Sequence, residues 1–162
     1  VSSISAFEYL AGKTLAYMVV AAAEWVLAVA AIMLVFGLRF AGDPVMFFVG
    51  TLLFLFTSVS FGVLVGGGIP SQALAIQAVS IGGFLAAFLL SGLIFPVENI
   101  PAALRWISDI VHSRYYIDLT RDAFLQGGGW DASWFRLVMI AAIGVLFFLP
   151  SWRTLRRMQV KA

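Results

Sequence analysis

The chain has 162 residues, of which 62% are hydrophobic and 11% charged, with a net charge of +2, whereas a soluble domain carries about 25% charged residues. That balance excludes an ordinary water-soluble domain, and so small a positive excess is no basic field for nucleic acid. Cys is absent, which removes disulfides and thiolate metal sites.

Ser5-Ala6-Phe7-Glu8 matches a capping box, in which Ser5 accepts from the backbone N–H of Glu8 and Glu8 from that of Ser5. A short helix is expected over Ser5–Gly12. Ile4, Phe7 and Ala11 share one face beside Leu10, while Glu8 and Lys13 point elsewhere, a pattern suited to the membrane interface. Gly12 then allows a turn into the first span. Gly12-Lys13-Thr14 does not complete a phosphate-binding loop, because the first glycine of G-x-x-x-x-G-K-[ST] falls at Phe7.

Four stretches can each cross a hydrocarbon core of about 30 Å, which takes about 20 helical residues. The first is Thr14–Gly37, interrupted only by Glu24. No ionisable residue lies between Asp43 and Glu98, and that stretch is too long for one crossing. The break belongs at Gly66–Ser71, where glycines free the backbone and Pro70 removes a donor, leaving spans Val45–Val65 and Ala73–Phe95. The fourth span is Ser133–Pro150. Arg136 snorkels to the headgroups near one end, and Trp130, Trp134 and Trp152 act as interfacial anchors. Asp43 before Pro44 reads as an N-cap, and Asp131 or Ser133 caps the fourth span. Gly62 and Gly66 form a G-x-x-x-G and Gly82-Gly83 adds small surface, so close helix packing is expected at both.

Between the third and fourth spans, Ile100, Leu104, Ile107 and Val111 form one helical face. Arg114, Asp118, Arg121 and Asp122 then make a polar stripe opposite Ile117, Thr120 and Phe124, with ion pairs possible along it. Gln126-Gly127-Gly128-Gly129 ends this part. Two short amphipathic helices are expected, joined near His112-Ser113, with apolar faces on the bilayer or bundle and charges in water. A single His makes neither a zinc site nor a triad, so His112 reads as a hinge or surface residue.

Glu24 is the informative ionisable residue within a span. It falls about 15 Å into the first span, near the midplane. An acid there costs about 2.5–3.5 kcal/mol on insertion scales, so Glu24 should face the bundle or an aqueous path. Gln77 on the third span is its candidate partner. Both an interhelix hydrogen bond and a place in a substrate path fit this pair.

Four crossings put both ends on one side. Lys13, Arg153, Arg156, Arg157 and Lys161 lie there, and Arg39, Arg105, Arg114, Arg121 and Arg136 on the other, so the basic count ties. The tail lacks compensating acids, which favours a cytoplasmic Lys13 and tail with Glu98–Asp131 outside.

Phe7-Glu8-Tyr9-Leu10-Ala11-Gly12-Lys13 resembles the E-x-x-x-G-K stretch with which permeases of the type-2 ABC exporter family enter a span. Leu89–Pro101 resembles that family's L-L-S-G-x-x-F-P-x-E-x-x-P signature. Arg114-Tyr115-Tyr116 resembles its aromatic step and Arg121–Gly127 its R-x-x-F-L-x-G ending. Two departures stand out: His112-Ser113 where members often have Pro, and Glu24 where members often have Gln.

The resemblance implies an all-α membrane protein with about four transmembrane helices, an N-terminal interfacial coupling helix and the two short amphipathic helices. Ser5, Phe7, Glu8, Leu10 and Lys13 would belong to the coupling helix. Pro96, Glu98, Pro101, Tyr115, Tyr116 and Arg121 would form an external gate region. The implied partners are an ABC ATPase subunit, a second permease copy or half, and membrane lipid, with no nucleic acid. ATP and Mg would sit on the partner ATPase, with no cofactor in this chain. The chain opens on Val1, read as an internal start. Residues 1–162 are thus expected to be a single transmembrane domain, the C-terminal part of a longer permease in a bacterial or archaeal cytoplasmic membrane. A membrane-embedded proton-coupled carrier or enzyme using Glu24, and a membrane scaffold bound through its packing glycines, are the competing readings.

Overall fold

The computed structural model describes residues 5–94 and 96–159, and these contain helices and connections but no strand. Four helical stretches are long and apolar enough to cross a membrane: Phe7–Val35, Pro44–Gly68, Gln72–Leu90 and Trp130–Arg153. Helix follows from the solvent, since lipid offers no partner to a backbone N–H or C=O. The protein is an all-α integral membrane protein.

Helix α1 spans Ala6–Val35 and opens on the expected capping box. Ser5 N donates to Glu8 Oε2 at 2.8 Å, and Glu8 N donates to Ser5 Oγ at 3.2 Å. The turn expected at Gly12 does not occur. The helix runs through Gly12 unbroken, so Ser5–Gly12 is the first part of a span and not a separate interfacial helix. Its apolar side explains this, because the bundle already occupies it. Leu10 is fully buried, and the Phe7 ring packs edge-on against Phe148 and Trp152 of the last helix. Ile4, assigned to the same face, lies outside the described residues.

Helix α2 spans Pro44–Gly68 and is capped as expected: Asp43 Oδ1 accepts from Val45 N at 2.8 Å and Met46 N at 3.3 Å. The glycines Gly66 to Gly68 stay helical, and the turn is made by Ile69-Pro70-Ser71. The third span is built from α3 (Gln72–Gln77), a π-helical turn over Ala78–Gly82, and α4 (Gly83–Leu90). It stops at Leu90, before the expected limit at Phe95, which itself lies outside the described residues.

The two short helices are present as α5 (Ala102–Ile110) and α6 (His112–Arg121), parted at Val111. Helix α7 spans Trp130–Gln159. It starts at Trp130, so neither Asp131 nor Ser133 caps it, and it continues through Pro150. A proline inside a helix removes the bond to the carbonyl four residues earlier, which a transmembrane helix tolerates when neighbouring groups satisfy the freed backbone. The next hydroxyl back-bonds in the same turn, Ser151 Oγ donating to Phe147 O at 2.9 Å.

The core lies where α2, α6 and α7 meet. Met46, Phe47, Leu119, Ala123, Phe124 and Leu137 form one buried cluster, and Tyr115, Ile140 and Ile143 form a second. Close approach of α2 to α7 happens at Gly144, beside Thr57 and Phe56, and not at Gly62 or Gly66, whereas of the expected Gly82-Gly83 pair Gly83 packs against Phe61 of α2. Nothing lies within 4 Å of where a Cβ would sit on Gly62 or Gly66. Thr57 Oγ1 donates to Ile140 O across this contact at 3.0 Å.

The connection between α1 and α2 is locked to the end of α6. Ala41 N and Gly42 N both donate to Ala123 O at 2.9 Å, and Asp43 N donates to Gly128 O at 3.3 Å. A Cβ on Gly42 would stand 2.5 Å from Gly128 O and 2.8 Å from Asp122 O. Those neighbours are backbone atoms held by these same bonds, so they cannot step aside. Gly42→Ala is therefore expected to destabilise the full-length protein by about 1–3 kcal/mol, the range for overpacking. Thermal unfolding in detergent measures this, and an unchanged midpoint would show that the lock yields.

Candidate functional site

Helix α6 does not lie on the surface. It enters the bundle, and its axis can be followed through its contacts with α2. In the π-helical turn Asp122–Gln126 that follows it, Asp122 and Ala123 sit against Gly42, just before α2 begins. One and a half turns earlier, the Tyr116 hydroxyl lies 3.0 Å from Thr51 Oγ1. At its first residue, His112 Nε2 lies 2.9 Å from Ser58 Oγ. Ser58 is fourteen residues past Pro44, which is about 21 Å along α2. Helices α5 and α6 thus form a re-entrant hairpin with its tip near Val111.

The sequence placed the charges of this segment in water and His112 on a surface or hinge. Its position at the hairpin bend agrees with a hinge. The surface reading does not hold, because the ring is enclosed by Phe54, Phe61 and Phe147 at centroid distances of 5.2, 6.3 and 6.3 Å. A composition-based reading assigns any charge-bearing connection to water, and only the long-range contacts reveal the exception.

Tyr116 is the anchor of the hairpin. Its ring stacks on Phe54 at 4.1 Å and 10° and on Phe47 at 5.9 Å and 16°. Its hydroxyl accepts from Trp25 Nε1 at 3.1 Å and shares a hydrogen bond with Thr51. One side chain on α6 therefore binds both α1 and α2. Tyr115 is buried as well, and its hydroxyl donates back to Asp109 O at 2.9 Å, which pins α5 to α6.

The other residues expected in an external gate fall into two groups. Arg121 Nη2 donates to Gly92 O at 3.0 Å and pairs with Asp118 at 3.5 Å. Gly92 has a φ of +83°, which turns the chain out of the third span; glycine adopts that conformation without penalty. Two of the stretches singled out in the sequence, Ser91-Gly92 and Arg121–Gly127, thus meet through one guanidinium. Pro96, Glu98 and Pro101 are exposed on the connection before α5, with Arg105 Nη2 donating to Glu98 O at 3.0 Å.

Asp122 and Arg136 were expected in water and at the headgroups. They form an ion pair instead, with the Asp122 side chain only 4% exposed. Ser133 Oγ donates to the same carboxylate oxygen at 2.7 Å, and the Asp122 carbonyl accepts from Gly127 N at 3.0 Å and Gly128 N at 3.2 Å. These bonds fasten the end of α6 to the start of α7. Sequence spacing gave no signal for the pair, since the partners sit on different helices.

Glu24 and Gln77 are not brought together. Glu24 is exposed on α1 and lines a partly open cavity of about 970 Å³, with Tyr9, Lys13 and Tyr17 on the same helix face. Val59, Val63 and Leu64 of α2 form the facing wall. Gln72 is the amide that lines the cavity, and Gln77 is exposed elsewhere. Five residues along a helix rotate a side chain by about 140°, so both cannot face one cavity. The coupling-helix residues divide similarly: Leu10 and Lys13 line the cavity, while Ser5, Phe7 and Glu8 are exposed at the end of α1.

A profile of the family described as ABC-2 type transporter matches residues 1–125. The chain belongs to the ABC-2 type transporter family. Among its relatives, the probable multidrug ABC transporter permease YbhS of Escherichia coli K12 is 25% identical over 158 residues, covering 97% of this chain and 42% of that protein. The probable multidrug ABC transporter permease YbhR of the same organism is 27% identical over 148 residues, covering 89% of this chain and 40% of that protein. This ABC-2 chain therefore spans about two fifths of the length of these relatives. No solved structure matches it.

Removing one partner of a buried ion pair leaves the other charge uncompensated. Arg136→Met is expected to destabilise the protein by about 3 kcal/mol, the low end of that class because Arg136 is partly exposed. Adding Asp122→Asn should recover part of the loss. Chemical unfolding of the single and double variants measures both, and a neutral Arg136→Met would mean that the pair does not hold α6 to α7.

Proposed function

We propose that this chain is the membrane part of an ATP-driven ABC exporter, contributing a substrate path as one of two permease copies or halves and driven by a cytoplasmic ATPase. The observation that carries the reading is the polar face of α1, Tyr9, Lys13, Tyr17 and Glu24, opening onto a cavity in a chain of the ABC-2 family. The names of the YbhS and YbhR relatives, both probable multidrug ABC transporter permeases, support the same reading. The chemistry of ATP belongs on the partner, where ATP and Mg are bound.

In this reading the end of α1 that carries Ser5, Phe7 and Glu8 faces the cytoplasm and receives the push of the ATPase. Phe7 touches α7 along one ring edge and stays half exposed, so the surface left for a partner is the one around Ser5, Phe7 and Glu8. The hairpin α5–α6 with Pro96, Glu98, Pro101, Tyr115, Tyr116 and Arg121 then closes the path on the opposite side. Two copies facing each other would cover the apolar side chains that α1 and the third span leave exposed.

The test is co-purification of the full-length permease from its own membrane in mild detergent. An ATPase subunit is expected to accompany it. Glu8→Arg reverses a charge and breaks the capping box on the exposed side, so it should weaken that association at least ten-fold with membrane insertion unchanged. Unchanged association of the variant would remove the end of α1 from the coupling. Absence of any ATPase with the unsubstituted protein would overturn the exporter reading.

A further inference from the structure

We infer that the α1 cavity selects amphiphilic cations and that Glu24 is the residue that sets this preference, an inference that rests on the cavity being part of a substrate path. Tyr9, Lys13, Tyr17, Val20 and Glu24 line the cavity at spacings of three and four residues, which is one face of α1. Glu24 lies eleven residues beyond Lys13, about 16 Å deeper along the helix axis. Lys13 does not neutralise it. The Lys13 ammonium sits at the shallow end, 5.9 Å from the centroid of the Tyr17 ring.

The ion pairs among the described residues, Arg114–Asp109, Arg121–Asp118 and Arg136–Asp122, leave Glu24 out. Its expected amide partner, Gln77, faces elsewhere, and Gln72 lies at the start of the third span. A carboxylate in the middle of a span is unfavourable until a counter-charge meets it. The walls around Glu24 say what else that counter-charge must carry. Val20, Val59, Val63 and Leu64 offer an apolar surface, and Tyr17, seven residues from Glu24 on the same face, offers a ring face that attracts cations. The volume of about 970 Å³ is at the upper end of the range of drug-sized pockets. A bulky apolar body bearing one permanent positive charge satisfies the wall and the carboxylate together, while an anion of equal size satisfies only the wall.

Tetraphenylphosphonium and tetraphenylborate have the same shape and opposite charge, so they isolate the contribution of Glu24. Binding of each is measured by equilibrium dialysis on the full-length permease with its ATPase in nanodiscs. The unsubstituted protein is expected to bind the phosphonium at least ten-fold more tightly than the borate, and Glu24→Gln is expected to abolish the difference while Glu24→Asp keeps it. Equal affinities in the unsubstituted protein overturn the inference even if Glu24→Gln fails to assemble. Retention of the phosphonium preference in a well-assembled Glu24→Gln protein overturns it as well. Val63→Trp, which fills the cavity, separates this from the underlying reading. If Val63→Trp leaves phosphonium transport intact the cavity is no path, whereas loss of transport in Val63→Trp with no charge preference leaves the path standing and removes the cation.

Discussion

Tyr116 carries a phenol into the membrane bundle and finds partners for every part of it, and the rest of the architecture follows from that requirement. An aromatic ring alone would be satisfied by lipid. A hydroxyl at that depth is not, because an unpaired polar group away from water costs about 1–3 kcal/mol. Trp25 and Thr51 supply the two hydrogen bonds, and Phe47 and Phe54 supply the stacking surfaces. Since Trp25 is on α1 and the other three are on α2, the phenol fixes the spacing of the first two spans as well as the depth of the hairpin.

The hairpin is then held at three levels. His112 meets Ser58 at the tip, Tyr116 meets α1 and α2 in the middle, and Asp122 meets Arg136 and Ser133 at the far end. By contrast, α1 and the third span expose much of their apolar surface, and the cavity with Glu24 opens between them and α2. Helices α2, α6 and α7 thus share the buried core, α1 is tied to it through Trp25, and the third span contributes no buried residue to it.

How much of this was legible in the sequence depends on the range of the interaction. Local signals were read correctly: the Ser5–Glu8 capping box, the Asp43-Pro44 start of α2 and the reversal at Pro70, while the break between the two amphipathic helices falls at Val111, one residue before the expected His112-Ser113. Gly12 misled because a permissive residue allows a turn without requiring one, and the buried Leu10 shows that packing decided for continuity. Pro150 misled for the complementary reason, since a helix breaker in water is tolerated among satisfied neighbours in a membrane. The Asp122–Arg136 pair and the Trp25–Tyr116 bond were out of reach, because the partners lie 14 and 91 residues apart on different helices. Gln77 was chosen for its chemistry without its rotation, and Gln72 was passed over although it sits on the correct side.

The depth of the hairpin is tested most directly by the reactivity of cysteines placed along α6 in the full-length protein in intact cells. Position 118 lies partly exposed toward the Asp43 end, whereas Ser113 lies two residues from the tip and is only 8% exposed. With a membrane-impermeant maleimide, Asp118→Cys is expected to react and Ser113→Cys to remain unmodified until Tyr116→Ala is added, which releases the hairpin. Rapid modification of Ser113→Cys in the presence of Tyr116, at the rate of Asp118→Cys, would contradict a re-entrant hairpin anchored by that phenol.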